Sequence, residues 1–245
     1  SLRLFRPRGL SAAPLAALRN DFLMFNWIRS LFSKKTTENT ELEDFDAIKS
    51  EVEQILELDL SSDTNREEHS KFVLDVLRHL DTEIENIRKQ ANGYPANPIS
   101  ALVWMNGAGF GNLACVLTKH FQKAGWLKRE ENASALWAKV TLSVCSHYHH
   151  MVGPAMLANA DCNDRLGNID RATEMYGGVV KDFSFITADW VTETDSPQNE
   201  DRIALESLLT ALERLLERGI KDLDGIDLLL LQTQTKVVLS RPMDD

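Results

Sequence analysis

Residues 64–91 read TNREEHSKFVLDVLRHLDTEIENIRKQA, and the apolar residues Phe72, Val73, Val76, Leu77, Leu80, Ile84 and Ile87 recur three or four positions apart. That is the period of one face of an α-helix and not the alternation of a strand. Thr64 with Glu67 has the form of a capping box at its start, in which each side chain satisfies a free backbone donor. The same period precedes it in Leu42, Phe45, Ile48, Val52, Ile55 and Leu56, with Ser61, Ser62 and Asp63 as the break.

Downstream, NGYPANP at 92–98 holds two prolines and a glycine and cannot continue a helix, which makes it a candidate boundary inside the body. Helices are then expected over about 99–124 and 132–152, over a third stretch stopping near Asp164, and over 169–181. A last pair, 203–218 and 226–239, follows the loop DSPQNED (195–201) and turns at GIKDLDG (219–225). The expected fold is therefore all-α, an irregular multi-helix bundle of helical hairpins with about eight helices and no convincing β-sheet.

One segment carries a resemblance. In GNIDRATEMYGGVVKDF (167–183), Gly167 stands at a turn and Ile169, Ala172, Tyr176 and Val179 follow at offsets that resemble the turn and second helix of a tetratricopeptide repeat. The likeness covers about 17 residues. Upstream, MLANADCN departs from the family's first helix at Asn159 and Asn163, and no second copy lies 34 residues away in either direction. The resemblance implies a single helical hairpin and carries over no peptide-binding residue.

Charge divides the 245 residues. Seven basic residues and one acid lie in 1–35, a net of +6, so a chain of net −10 carries −16 from residue 36 onward. The division expected is a basic amphipathic arm or leader over 1–35, a linker over 36–41 and an acidic all-α body over 42–245. An acidic body repels nucleic-acid phosphates, so no nucleic-acid partner is expected. Three cysteines, an odd number without paired spacing, point to a reducing compartment such as the cytoplasm. No run of about 18 apolar residues occurs, so no membrane span is expected.

Residues 1–23, rich in Arg, Ala and Leu, read either as an organellar or secretory leader or as sequence ahead of a start at Met24. From there Met24, Trp27, Ile28, Leu31 and Phe32 fall on one helical face, with Arg29, Lys34 and Lys35 beside it. Aromatic anchors with flanking cations suit an anionic membrane surface or the groove of a protein partner.

CSHYHH (145–150) is the densest group of candidate metal donors. Read as helix, it puts His147 and His150 on one face and Cys145 and His149 on another, so the four cannot meet at one zinc ion. Asp161, Cys162, Asp164 and His120 are conceivable additional ligands. A Cys145 thiolate nucleophile would need a nearby base and an electropositive setting, which the interior of a helix does not supply. NGAGFGN (106–112) follows a helical stretch and lacks both the P-loop Lys-Ser/Thr and the dinucleotide spacing, so its glycines read as a close helix crossing or a break. The acidic residues, with no ExxH among them, read as solvated faces.

Three functional expectations follow. The first is a non-enzymatic helical interaction or adaptor protein that uses its arm, partnered by another protein or a membrane surface and needing no cofactor. The second is a zinc protein or hydrolase built on Cys145, His147, His149 and His150. The third is an acidic inhibitor or immunity-type protein whose body binds a basic partner.

Overall fold

A computed structural model of the chain describes residues 40–92, 99–193 and 196–242, with side chains from Phe45 onward. All side chains discussed below belong to the unit Asp44–Asp245. The arm residues Met24, Trp27, Ile28, Arg29, Leu31, Phe32, Lys34 and Lys35, and the candidate boundary at 93–98, lie outside the described residues. Thr40 and Glu41, expected in the linker, are already helical.

The fold is all-α, with eight helices among the described residues. The first is α1 (Thr40–Glu57), which buries Ile48, Val52 and Ile55, and the second is α2 (Asp63–Gln90), which buries six of the seven stripe residues above. Phe72 alone is half-buried. The N-cap of α2 is Ser62, not Thr64: the Ser62 hydroxyl accepts from the Asn65 amide at 3.2 Å. Thr64 already sits in the first turn, where it cannot cap the helix.

Ser100 caps α3 (Ala101–Ala124) by accepting from Val103 N–H. Gly125, at φ 67°, closes α3 and turns the chain into α4 (Leu127–Val144). There the Gly125 N–H donates to Gln122 O and the Trp126 N–H to Phe121 O, the paired closure that needs a left-handed residue. Gly167 and Gly219 end later helices with the same pair of bonds. Arg66 of α2 reaches across to donate to the Ala124 carbonyl, satisfying one of the free acceptors at that helix end.

The glycines of NGAGFGN make a close crossing within α3. A Cβ on Gly107 would stand 2.6 Å from Val144 Cγ2, and one on Gly109 would stand 2.7 Å from Phe45 Cε2. Side-chain-free positions therefore let α4 and α1 approach the α3 backbone. By length and composition α3 is also apolar enough to cross a membrane, with mean hydropathy 1.3, but 56% of that window is buried against neighbouring helices. On α4, Lys139 sits between Asp81 (2.7 Å) and Glu85 of α2.

Three more long helices follow: α5 (His149–Arg165), α6 (Ile169–Val191) and α7 (Asn199–Glu217). Each packs on the next, and α5 also packs on α7. The α5–α6 pair, turned at Gly167, is the single helical hairpin implied by the tetratricopeptide likeness; Ala172, Tyr176 and Val179 are buried in it and Ile169 is exposed. After α7, β1 (Asp222–Leu223) and β2 (Ile226–Asp227) form a minimal hairpin around Asp224 and Gly225, both at positive φ as a two-residue Asp-Gly turn requires. Asp227 then caps α8 (Leu228–Leu239), accepting from the Leu229 and Leu230 amides at 3.0 Å. A buried pair of hydroxyls, Thr187 and Thr235 at 2.9 Å, ties α6 to α8.

Candidate functional site

The expected helix over 132–152 is interrupted. Helix α4 ends at Val144, Cys145 to Tyr148 form a turn in which the Tyr148 N–H donates to Cys145 O at 2.7 Å, and α5 starts at His149. Pro154 does not set this break: it lies inside α5, in the second turn, beyond the first-turn positions where a missing N–H is tolerated. Aromatic contacts hold the corner: Tyr148 lies 6.0 Å from Trp104 of α3, and the His149 ring stands edge-on to Phe183 (5.1 Å) and Phe185 (5.2 Å) of α6.

The two helical faces expected for CSHYHH therefore do not exist. Cys145 points into the core at 1% exposure, and burial pushes its thiol up to about 12. His147 is exposed, whereas His149 and His150 are half-buried, with His150 Nδ1 3.9 Å from a Glu200 carboxylate oxygen. Three of the four additional donors are engaged elsewhere. Asp161 accepts from the Tyr176 hydroxyl, Asp164 pairs with Arg218 at 2.6 Å, and the Cys162 thiol donates to Leu127 O at 3.5 Å. Among the described residues no group of three or more His, Cys, Asp or Glu side chains is placed to hold a metal. The residues present do not fit a zinc site.

The same corner has a pH dependence with a definite sign. His149 and His150 are the first two residues of α5, a helix start with no side-chain cap, and both imidazoles are held below their ordinary value. Burial is the main cause for each; the helix N-terminus also disfavours a cation there, and Glu200, Asp201 and Asp182 oppose the shift only in part. Groups with depressed folded values bind fewer protons in the native state. Their contribution is complete above the unfolded imidazole value of about 6.5 and is lost as pH falls through the folded values. Denaturation midpoints measured at pH 7.5 and 5.5 should therefore drop, and His149→Gln should reduce the drop. An equal drop in that variant would remove His149 from the account.

Polar chemistry is concentrated instead at two ties the sequence reading did not find. Between α4 and α5, Asn159 donates from Nδ2 to Ser134 Oγ (2.9 Å) and Glu131 O (3.4 Å), while the buried Glu130 carboxylate pairs with Arg165. Cys162 lies beside this pair; burial first, then the Glu130 charge, push its thiol up to about 12. Among α5, α6 and α7, the Tyr176 hydroxyl donates to Asp161 and Arg218 lies over the Tyr176 ring at 4.9 Å while bonding Asp164. Burial and the Asp161 charge hold that phenol far above its ordinary range. Asn163, one of the two departures from the tetratricopeptide pattern, accepts from Asn168 Nδ2 at 3.1 Å and steadies the turn into α6. The available signal was the pair Asn159 and Asn163, four apart and so on one face of the helix.

No known family, curated protein or solved structure matches this chain.

Proposed function

We propose that this chain is a non-enzymatic helical interaction protein that docks on an anionic membrane surface or on another protein through the basic amphipathic segment Met24–Lys35. The observation that carries the reading is how the body's reactive groups are spent. Cys145 and Cys162 are buried with their thiols pushed up, and Asp161, Asp164, Glu130 and Tyr176 are bonded to side chains of neighbouring helices. Groups spent on holding helices together support a scaffold more than a catalyst, and the arm's +6 set against −16 supplies attraction to anionic surfaces.

Co-sedimentation with liposomes tests it, using the whole chain and a chain starting at Glu38. The whole chain should pellet with anionic vesicles and not with neutral ones, and the shortened chain with neither. Equal, negligible binding by both chains would remove the membrane surface and leave a protein partner, sought by co-purification with and without residues 1–35. The −16 body favours a second reading, an acidic inhibitor-type protein facing a basic partner. That reading requires partner capture by the shortened chain, weakening steeply with salt.

A further inference from the structure

Arg129, the third residue of α4, is alone among the described arginines in bonding neither a carboxylate nor a backbone carbonyl. Its Nη2 donates to the Ser70 hydroxyl of α2 at 2.9 Å, and its Nε is buried with no acceptor. The guanidinium lies over the Trp126 ring, 5.4 Å from the centroid, and so points back toward the start of α4, which no side chain caps. Burial first, then the charge of Arg78 on α2, lower its hold on its proton, and no carboxylate charge offsets them. A half-buried cation is costly without a counter-ion. From this cluster we infer that the corner between α2 and the start of α4 is a phosphate-binding site, in which Arg129 and Arg78 hold the phosphomonoester group of a ligand.

Two guanidinium groups on different helices suit a dianion with oxygens in several directions, whereas a planar carboxylate is satisfied by one fork. The remaining donors agree with that shape. Ser70 accepts from Arg129 and keeps its own O–H to donate, and an uncapped helix start adds free amides and a dipole that favours an anion. Arg78 does bond Asp75, at 3.1 Å, but the two side chains are 73% and 53% exposed. Such a solvated pair is weak, and it engages only Nη1 of Arg78, leaving Nη2 and Nε to a ligand. The cations on either side, Arg66 and Lys128, are paired with Asp63 and Glu131. Uncompensated positive charge is thus confined to the Arg129 corner.

This inference is independent of the role given to the arm. Calorimetric titration of the full chain with inorganic phosphate, at constant ionic strength set with sodium chloride, should show a saturable site with a dissociation constant on the order of a millimolar. Arg129→Gln should weaken it at least about tenfold, and Arg78→Gln severalfold. Arg129→Lys should restore little, because an ammonium keeps the charge and loses the fork. Lys119→Gln, which removes an exposed cation of α3, should leave binding unchanged. Thermal unfolding checks that each variant remains folded, and the exposed Arg78 supplies a variant that removes no buried contact. Vesicles then identify what carries the phosphate. Stronger sedimentation with phosphatidic acid, a phosphomonoester, than with phosphatidylserine at matched surface charge, lost in Arg129→Gln, assigns it to a lipid headgroup. Equal sedimentation with both, while phosphate still binds in solution, assigns it to a soluble phosphomonoester. No saturable phosphate binding, or a loss in Arg129→Gln no greater than in Lys119→Gln, would overturn the site.

Discussion

Replacing Tyr176 by alanine is expected to destabilise the fold by about 4 kcal/mol, the usual cost of truncating a buried ring. Tyr176 is the largest fully buried side chain among the described residues, packed in the cluster that includes Val152, Phe183, Leu212 and Leu215. Truncation removes the transfer free energy of the ring and leaves a cavity that three helices cannot jointly close. It also removes the surface on which Arg218 rests at 4.9 Å. The polar part is smaller. Tyr176→Phe keeps the ring and deletes one hydrogen bond to Asp161, whose side chain is 41% exposed and can turn to water, so a loss of about 1 kcal/mol is expected. Denaturant midpoints of both variants, with slopes compared for two-state behaviour, give the two values. If phenylalanine cost as much as alanine, the hydroxyl and not the ring would be the main contribution.

Gly153 is the second position of large expected effect. A Cβ there would meet Ser207 Oγ at 2.6 Å, Ser207 Cβ at 2.7 Å and Phe183 Cε2 at 2.8 Å, so α5 must move away from α7 and α6 together. Gly153→Ala gains about 1 kcal/mol of helix propensity against an overpacking cost of about 3 kcal/mol, a net loss of about 2 kcal/mol. Gly153→Val adds two more carbons and gains less propensity, so its net loss should exceed about 3 kcal/mol. Adding Ser207→Gly to Gly153→Ala should recover part of the loss, because two of the three contacts disappear while Phe183 remains. A double-mutant cycle reads that coupling directly. Strict additivity would show that the strain lies elsewhere.

The contrast between Gly153 and the glycines of α3 shows how far a sequence can be read. Gly107, Gly109 and Gly111 announce a crossing because three small residues lie in one helix, and Gly107 and Gly109 do meet a neighbour closely. Gly153 carries no such signal; beside Pro154 it resembles a helix end, yet it lies inside α5. Its need for hydrogen in place of a side chain comes from Ser207 and Phe183, 54 and 30 residues away. Likewise Asn159 and Asn163 showed only as misfits to a repeat pattern, because the acceptors and donors that explain them belong to α4 and to the turn before α6.

CSHYHH shows the opposite error. Its residue types suggested metal or thiol chemistry, but metal binding is a matter of convergence, and the turn at 145–148 sends one side chain to the core, one to solvent and two against aromatic rings and a carboxylate. The outward stripe of α8, Leu229, Leu230 and Val237, was legible as apolar residues and illegible as an exposed surface. LLLL at 228–231 reads as uniformly buried, and only the position of α7 and α6 decides that Leu228 and Leu231 face inward while Leu229 and Leu230 face out.

By itself the sequence determined the secondary structure class, the order and rough extent of the helices, the Gly and Asp-Gly turns and the change of charge near residue 36. Those properties depend on neighbours within a turn or two, where side-chain period, capping oxygens and positive φ act. Tertiary structure decided the break before His149, the close approach at Gly153, the ties through Glu130, Asn159 and Tyr176, and the outward apolar stripe of α8. Each of these is a relation between residues distant in the chain, whose free energy exists only once the helices have packed.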